Sequence, residues 1–442
     1  MAEALRLSFY GDDFTGSTDA MEALASHGVP TVLFTRRPTP DEFRRFDGHG
    51  AVGLAGSSRS QTPDWMDREL RADFQWLKKL GAGLCHYKVC STFDSSPATG
   101  SIGKAIDVGR EVFAQEVVPL VVGCPQLKRY TAFGHLFAAY QGIVYRIDRH
   151  PVMSHHPVTP MDEADLAVHL ARQTTTPVVL ASLDVLARTD VAPLIDALVA
   201  RSPAILLIDV ADPATQLLAG QQVMRLARSH GPFVVGSSGV EYALLKSWAS
   251  AGIIAGTAPF PPLQAVSRLA AVSGSCSPTT AQQIRHASAN GFDAIPVDPL
   301  RLAQGDQTVI GLAVTDGLAR LGRGRSVIIH SALGAENDRS AELASLPDGR
   351  HRLGRALGRI AGALIERAGL TRAVIAGGDT SSHALGELDI FALTTRLPLA
   401  ATPGSPLCLA HSSSASFDGL EIALKGGQIG GDDYFSVLRD GP

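Results

Sequence analysis

Residues 5–24 read LRLSFYGDDFTGSTDAMEAL, and this stretch decides the fold class. Leu5–Tyr10 is a short apolar run, the pattern of a buried strand, and a helix-like spacing follows further on. Between them stand Asp12 and Asp13 and a turn of Gly, Ser and Thr. A strand thus hands over to a helix, and the handover carries two carboxylates. In open α/β sheets the carboxyl ends of the strands are where ligands bind. Adjacent like charges cost stability unless something uses them, so the pair marks a candidate site for a metal or a polar ligand.

The same grammar repeats along the chain. Strand candidates are Thr31–Thr35, Ala51–Ala55, Cys85–Val89, Leu120–Gly123, Val178–Leu183, Ala204–Val210 and Phe233–Gly236. Amphipathic stretches such as Pro63–Leu80, Ile102–Gln115 and Pro213–Ser229 lie between them. Apolar runs that do not alternate suit strands buried on both faces, and alternation with helices predicts largely parallel sheets. Ala249–Ser267 carries Gly, Ala and Pro with little periodicity and reads as a linker, after which the pattern restarts. The second set of strands is Leu269–Ser273, Ala294–Val297, Ser326–Ser331, Arg372–Ala376 and Leu420–Leu424, with helices over Thr279–Asn290, Val309–Leu321 and Leu353–Ala368. The expected architecture is therefore two α/β domains, 1–250 and 268–442, joined by a linker at 251–267, with the active-site cleft between them.

A chain of 442 residues exceeds one ordinary core, and 45% hydrophobic against 19% charged residues describes a globular protein. The formal net charge is −4 and no block of Lys and Arg stands out, which argues against a nucleic-acid partner. The five cysteines are scattered and form no C-x-x-C pair, so reduced thiols in a cytoplasmic protein are expected. The first residues lack a basic-then-apolar signal pattern, and no apolar run reaches membrane-spanning length.

Several strand ends carry chemistry. Ala373–Leu388 reads AVIAGGDTSSHALGEL, an apolar run entering Gly377-Gly378-Asp379-Thr380 at a helix start. Glycines admit a ligand close to the backbone, and free N–H groups at a helix N-terminus attract anions. A tight capped turn explains the same residues. Ala271–Thr280, AVSGSCSPTT, and Ile422–Gly431, IALKGGQIGG, repeat the arrangement. Three such turns point jointly to a nucleotide, although neither a Walker A loop nor an initial G-x-G-x-x-G is present. In the first half, Arg59 follows the run Ala51–Ala55 among small hydroxyl residues, where it could clamp a carboxylate bidentately. Lys88, Ser91 and Thr92 stand at another strand end. A solvated loop arginine and a surface lysine are the plain alternatives. His155-His156 fits no zinc spacing, and no G-x-S-x-G elbow occurs.

Together these segments resemble the four-carbon acid sugar kinase family from end to end. The resemblance rests on Asp12-Asp13-Phe14-Thr15-Gly16, Ser58-Arg59-Ser60, Ser273–Ser277, Gly377–Thr380 and a K-x-G-x-x-G element at Lys425–Gly430, in that order. It implies an N-terminal domain for a sugar acid and a C-terminal domain for ATP. It implies ATP- and Mg²⁺-dependent phosphorylation of a threonate-, erythronate- or oxo-tetronate-like acid. By resemblance Asp12, Asp13, Arg59, Lys88, Ser91 and Thr92 would face the sugar acid, and Ser275, Gly377, Gly378, Asp379, Thr380 and Gly427 would face ATP. One segment departs: the family's K-x-D-S-T-L-R-G is here Lys88-Val89-Cys90-Ser91-Thr92-Phe93-Asp94-Ser95. One charge is lost and another reversed, so a different substrate is expected, such as a branched or oxo acid like 3-oxo-isoapionate.

The expected chemistry is positioning and charge neutralisation around phosphoryl transfer. Arg59 and Lys88 would fix the acid's carboxylate and polar groups. Asp13 or Asp12 would orient or deprotonate the attacking hydroxyl, with Asp379 as the alternative base or the metal's carboxylate. No residue set is assigned to the metal. Closure of the two domains would exclude water. A non-catalytic sensor of sugar acid and nucleotide, or a nicotinamide-dependent dehydrogenase, are the rival readings. The only expected partner is the small-molecule substrate, with a homo-oligomer left open.

Overall fold

The structure, a computed structural model, describes residues 5–201, 203–334 and 338–441, without the side chain of Asp379. The chain divides into two compact units. The first holds the residues up to Val32 and Thr39–Ala258; the second holds Leu33–Pro38 and the chain from Pro259 onward. The division falls between Ala258 and Pro259, and the exchange of residues 33–38 into the second unit has no sequence signal. Thr35 N donates to Phe391 O at 3.0 Å, its Oγ1 donates to Ile390 O at 2.8 Å, and the Arg36 guanidinium lies 5.9 Å from the Phe391 ring centre.

In chain order the strands are β1 Leu7–Gly11, β2 Thr31–Phe34, β3 Ala51–Ala55, β4 Leu84–Lys88, β5 Val117–Val121, β6 Arg129–Ala132, β7 His135–Tyr140, β8 Ile143–Arg146, β9 Val178–Ala181, β10 Ala204–Ile208, β11 Phe233–Gly236, β12 Ala270–Ser273, β13 Phe292–Pro296, β14 Ser326–His330, β15 Arg372–Ala376, β16 Ile390–Leu397, β17 Leu407–Ser412 and β18 Glu421–Lys425. In the first unit the order β3-β1-β4-β11-β5-β10-β9 is parallel throughout. Every residue of β1, β4, β5, β10 and β11 is buried, as unalternating apolar runs require. One layer of the core is aromatic: Phe74 packs against Tyr10, Tyr87 and Phe233 with ring centres 6.0, 5.6 and 5.4 Å apart. A separate antiparallel sheet, β6-β7-β8, was not expected from the sequence.

In the second unit the order is β13-β14-β12-β15-β18-β17-β16. It is parallel from β13 to β18. β17 then runs antiparallel to both of its neighbours, the minority that a largely parallel sheet leaves room for. The α/β class and the largely parallel sheets are as anticipated. All five cysteines are free thiols, and no helix among the described residues is long and apolar enough to cross a membrane.

Candidate active site

Parallel register assembles the acidic cluster of the first unit. Gly11, the last residue of β1, pairs with Ala55 on one side and Lys88 on the other. The residues that follow each strand therefore emerge side by side. Asp12 N donates to Lys88 O at 2.9 Å, and Arg59 N donates to Asp12 O at 3.0 Å. Asp13 caps the helix Phe14–Ser26 by accepting from Gly16 N at 2.7 Å. That bond accounts for one carboxylate in purely local terms.

Arg59 accounts for the pair. Its Nε and Nη2 donate to the two oxygens of Asp12 at 3.1 and 2.8 Å, and Nη1 donates to Asp13 Oδ2 at 2.7 Å. The bidentate clamp anticipated for a ligand carboxylate is here made on the protein's own aspartates. Burial pushes the Asp12 carboxyl above the usual carboxylate range, against the pull of Arg59. Lys88 is likewise engaged: its Nζ lies 3.6 Å from Asp19 Oδ2. Burial works against the ammonium, but Asp19, Asp13 and Asp12 outweigh it and hold the lysine above its ordinary value. Burial also raises Asp19, opposed by Lys88 and by the hydroxyl of Ser238, which donates to Asp19 Oδ2.

Asp19 escaped the sequence reading. Its signal is helical spacing: it falls three residues after Gly16 and so shares that helix face. A Cβ on Gly16 would stand 2.6 Å from Lys88 Nζ, so glycine there lets the helix approach the lysine.

The segment after Lys88 forms its own network. Cys90 Sγ lies 2.9 Å from Thr92 Oγ1, which donates to Asp94 Oδ1 at 2.6 Å. Thr159 Oγ1 donates to Asp94 Oδ2 at 3.3 Å. Burial opposes ionisation of Asp94, yet Arg59 and the Thr92 bond outweigh it and lower its pKa. Ser91 is half-buried in the same turn.

In the second unit the three glycine turns converge, because β12, β15 and β18 are neighbours with Ser273 beside Ala376 and Ala376 beside Lys425. The ladder continues into the turns: Gly274 N donates to Ala376 O at 3.0 Å and Gly377 N to Lys425 O at 2.8 Å. Close approach is built in. A Cβ on Gly274 would stand 2.2 Å from Thr380 Oγ1, and one on Gly427 would stand 3.0 Å from Ser275 Oγ. Gly377 has φ +117 and is the N-cap of the helix Gly378–Glu387, with no side chain capping it. Its first N–H groups are thus available to an anion. A cavity of about 230 Å³ opens beside Gly274, Cys276, Ser331, Arg350 and Thr380. Asp379 lies on this helix, with its side chain outside the described residues.

Two residues brace these turns, Gln283, which the sequence did not single out, and Lys425 of the K-x-G-x-x-G element. Gln283 Nε2 donates to the carbonyls of Ile429, Gly430 and Gly431 at 3.0, 3.1 and 2.9 Å. Lys425 Nζ donates to Thr280 Oγ1 at 3.0 Å and to Gly426 O at 2.8 Å, and burial brings its pKa down to about 8. Among the described residues, no three His, Cys, Asp or Glu side chains are grouped to hold a metal ion.

Known proteins match the chain in both of its halves. Residues 7–244 match a sugar-binding N-terminal domain, and residues 270–435 match a nucleotide-binding C-terminal domain. The chain is 47% identical to a 3-oxo-isoapionate kinase of Paraburkholderia graminis, over 99% of this chain and 94% of that one. It is 31% identical to a 3-oxo-tetronate kinase of Methylobacterium radiotolerans, over 99% of each. A crystal structure of protein HI1011 from Haemophilus influenzae shares the fold, with a TM-score of 0.74 at 22% identity, over 98% of this chain and 99% of that one. With both of its halves matched, and with relatives along almost its whole length, the chain belongs to the four-carbon acid sugar kinase family.

Proposed function

We propose that this protein is an ATP-dependent kinase that phosphorylates a hydroxyl of a small sugar acid, with 3-oxo-isoapionate as the preferred substrate. The observation that carries the choice is the gap between 47% identity to a 3-oxo-isoapionate kinase and 31% to a 3-oxo-tetronate kinase, each over 99% of the chain. The sensor and dehydrogenase readings gain no support from these relatives.

The turns of the second unit fit a nucleoside triphosphate. The uncapped N-terminus at Gly378, the close-approach glycines Gly274, Gly377 and Gly427, and the hydroxyls of Ser275 and Thr380 would hold its phosphates. ATP supplies the phosphoryl group. Mg²⁺ belongs to the same reading, and it commonly keeps several waters while using one or two carboxylates and the phosphates themselves. The described residues offer no protein-built cage, and Asp12, Asp13 and Asp19 already have partners. Asp379 is the carboxylate proposed for the nucleotide side.

In the first unit the two aspartates divide the work. The Asp12 side chain is 5% exposed and held on both oxygens by Arg59. Asp13 is 30% exposed and bonded to Arg59 through one oxygen. Asp13 is therefore the proposed base, able to accept the proton of the attacking hydroxyl, while Asp12 and Arg59 fix its orientation. Lys88, Ser91 and Thr92 would hold the acid's polar groups. Incubation with Mg-ATP and a panel of four- and five-carbon sugar acids, 3-oxo-isoapionate included, tests the reading. ADP release with a phosphorylated product by mass spectrometry is expected, and absence of turnover with every acid refutes it.

A further inference from the structure

The acidic cluster poses an electrostatic problem for an anionic substrate. Its two cations, Arg59 and Lys88, stand among four carboxylates, Asp12, Asp13, Asp19 and Asp94. Hydroxyl groups suit such a place, but a further carboxylate is repelled from it. Another cation at the same sheet edge has the opposite character.

Arg129 opens β6 after the loop that leaves β5, and it pairs with Cys124 in a backbone bridge. Its Nη1 donates to the carbonyls of Leu127, Lys128 and Ala139 at 2.9, 3.3 and 3.4 Å. Among the described residues these carbonyls are its only hydrogen-bond partners, and no carboxylate pairs with it; its Nε is buried without an acceptor. Cys90, Cys124 and Tyr130 are the neighbours able to carry negative charge. Burial pushes both thiols up, Cys124 to about 12, so neither supplies an anion at neutral pH. Burial lowers the Arg129 pKa; at Arg59 burial acts the same way, but Asp12, Asp13 and Asp94 reverse it. Gly236 pairs with Lys88 on one side and with Val121 on the other, so the loop that carries Cys124 and Arg129 leaves the same sheet edge as Lys88, two strands away.

We propose that Arg129 receives the carboxylate of the sugar acid, leaving the hydroxyl-bearing end of the substrate to the cluster around Asp13. The assignment rests on the sugar-acid kinase reading. The three carbonyls hold the guanidinium in place, and the substrate supplies the counter-charge the protein omits. Charge-assisted hydrogen bonds of this kind are worth a factor of about 10 to 100 in affinity.

The test compares the sugar acid that the wild type turns over best with the carboxamide of that acid, used as a competitive inhibitor. Arg129→Met should raise KM for the acid about 10- to 100-fold, with kcat changed far less. The Ki of the carboxamide and the Kd for ATP by calorimetry should stay unchanged. Arg129→Lys, which keeps the charge, should recover most of the KM for the acid. Equal losses for acid and carboxamide in Arg129→Met, no loss in that variant, or an Arg129→Lys KM as high as that of Arg129→Met would overturn the assignment. A wild type inactive on every acid would instead overturn the kinase reading.

Discussion

Removing the guanidinium that holds the aspartate pair is the most informative perturbation of this protein. Arg59→Met deletes three charge-assisted hydrogen bonds and leaves Asp12 buried beside Asp13. Breaking a buried ion pair from one side costs about 3–5 kcal/mol. The Asp13 arm is weaker, because the Arg59 and Asp13 side chains are 26% and 30% exposed and such pairs are worth roughly 0–1 kcal/mol. A loss of about 3 kcal/mol at pH 8 is the working figure, or a melting temperature lower by roughly 6–12 °C for a unit of this size. The sign of the pH dependence follows from Asp12. Burial already raises its folded pKa above the ordinary value. An acid shifted upward binds more protons folded than unfolded, so its contribution is most favourable at low pH and is lost as pH climbs through the folded pKa. Without Arg59 that pKa rises further, and the variant should lie close to wild type near pH 5 and fall away towards pH 8. Urea unfolding at a series of pH values measures this directly. A deficit that is the same at pH 5 and pH 8, or one below about 1 kcal/mol throughout, would refute the claim that Arg59 neutralises a buried carboxylate.

Asp13→Asn should cut kcat by at least about 10²-fold while calorimetry shows ATP binding intact; unimpaired turnover would transfer the base to another group. Gly377→Ala places a Cβ 2.9 Å from Thr380 Oγ1 at φ +117, which should cost roughly 1–3 kcal/mol and weaken ATP binding in a titration while leaving the first unit's melting unchanged. The Lys425 ammonium is brought down to about 8 by burial, so the folded state holds fewer protons there than the unfolded state between pH 8 and the ordinary lysine value. Wild type should therefore gain stability relative to Lys425→Met as pH rises across that window, read from paired melting curves. Asp209 accepts from Phe133 N at 2.6 Å and Gly134 N at 3.2 Å; Asp209→Ala should speed amide exchange in β6 and β7 and spare β1 and β4.

The legible parts of the chain are those where both faces of a strand are buried. Ala51–Ala55, Phe233–Gly236 and Arg372–Ala376 are read to the residue because no solvent face interrupts the apolar run. β7 escaped because its burial alternates, the mark of a strand with one wet face. β16 and β17 escaped for a different reason: their pairing slips at two points, between Ile390 and Ala392 and between Thr395 and Leu397. At the site, the residue types were readable but not their partners. A lone arginine in sequence does not disclose whether it awaits a ligand or, like Arg59, closes on two aspartates 46 and 47 residues away. Gln283 carries no motif at all, because an amide that serves three carbonyls is recognised only once the loop from Ile429 is folded over it.

The short segment from Leu33 to Pro38 imposes a schedule on biosynthesis. Its contact with Ile390 spans 355 residues, so it leaves the ribosome long before its partner strand exists. At about 5–20 residues per second the delay is roughly 20–70 s, during which Ile390 and Phe391 are not yet there to accept the hydrogen bonds of Thr35. The second unit expressed from Pro259 onward would lack this segment permanently, and adding residues 33–38 as a peptide should restore part of its stability. Fragment design and co-translational folding in this protein are thus governed by one hexapeptide that is made early and used late.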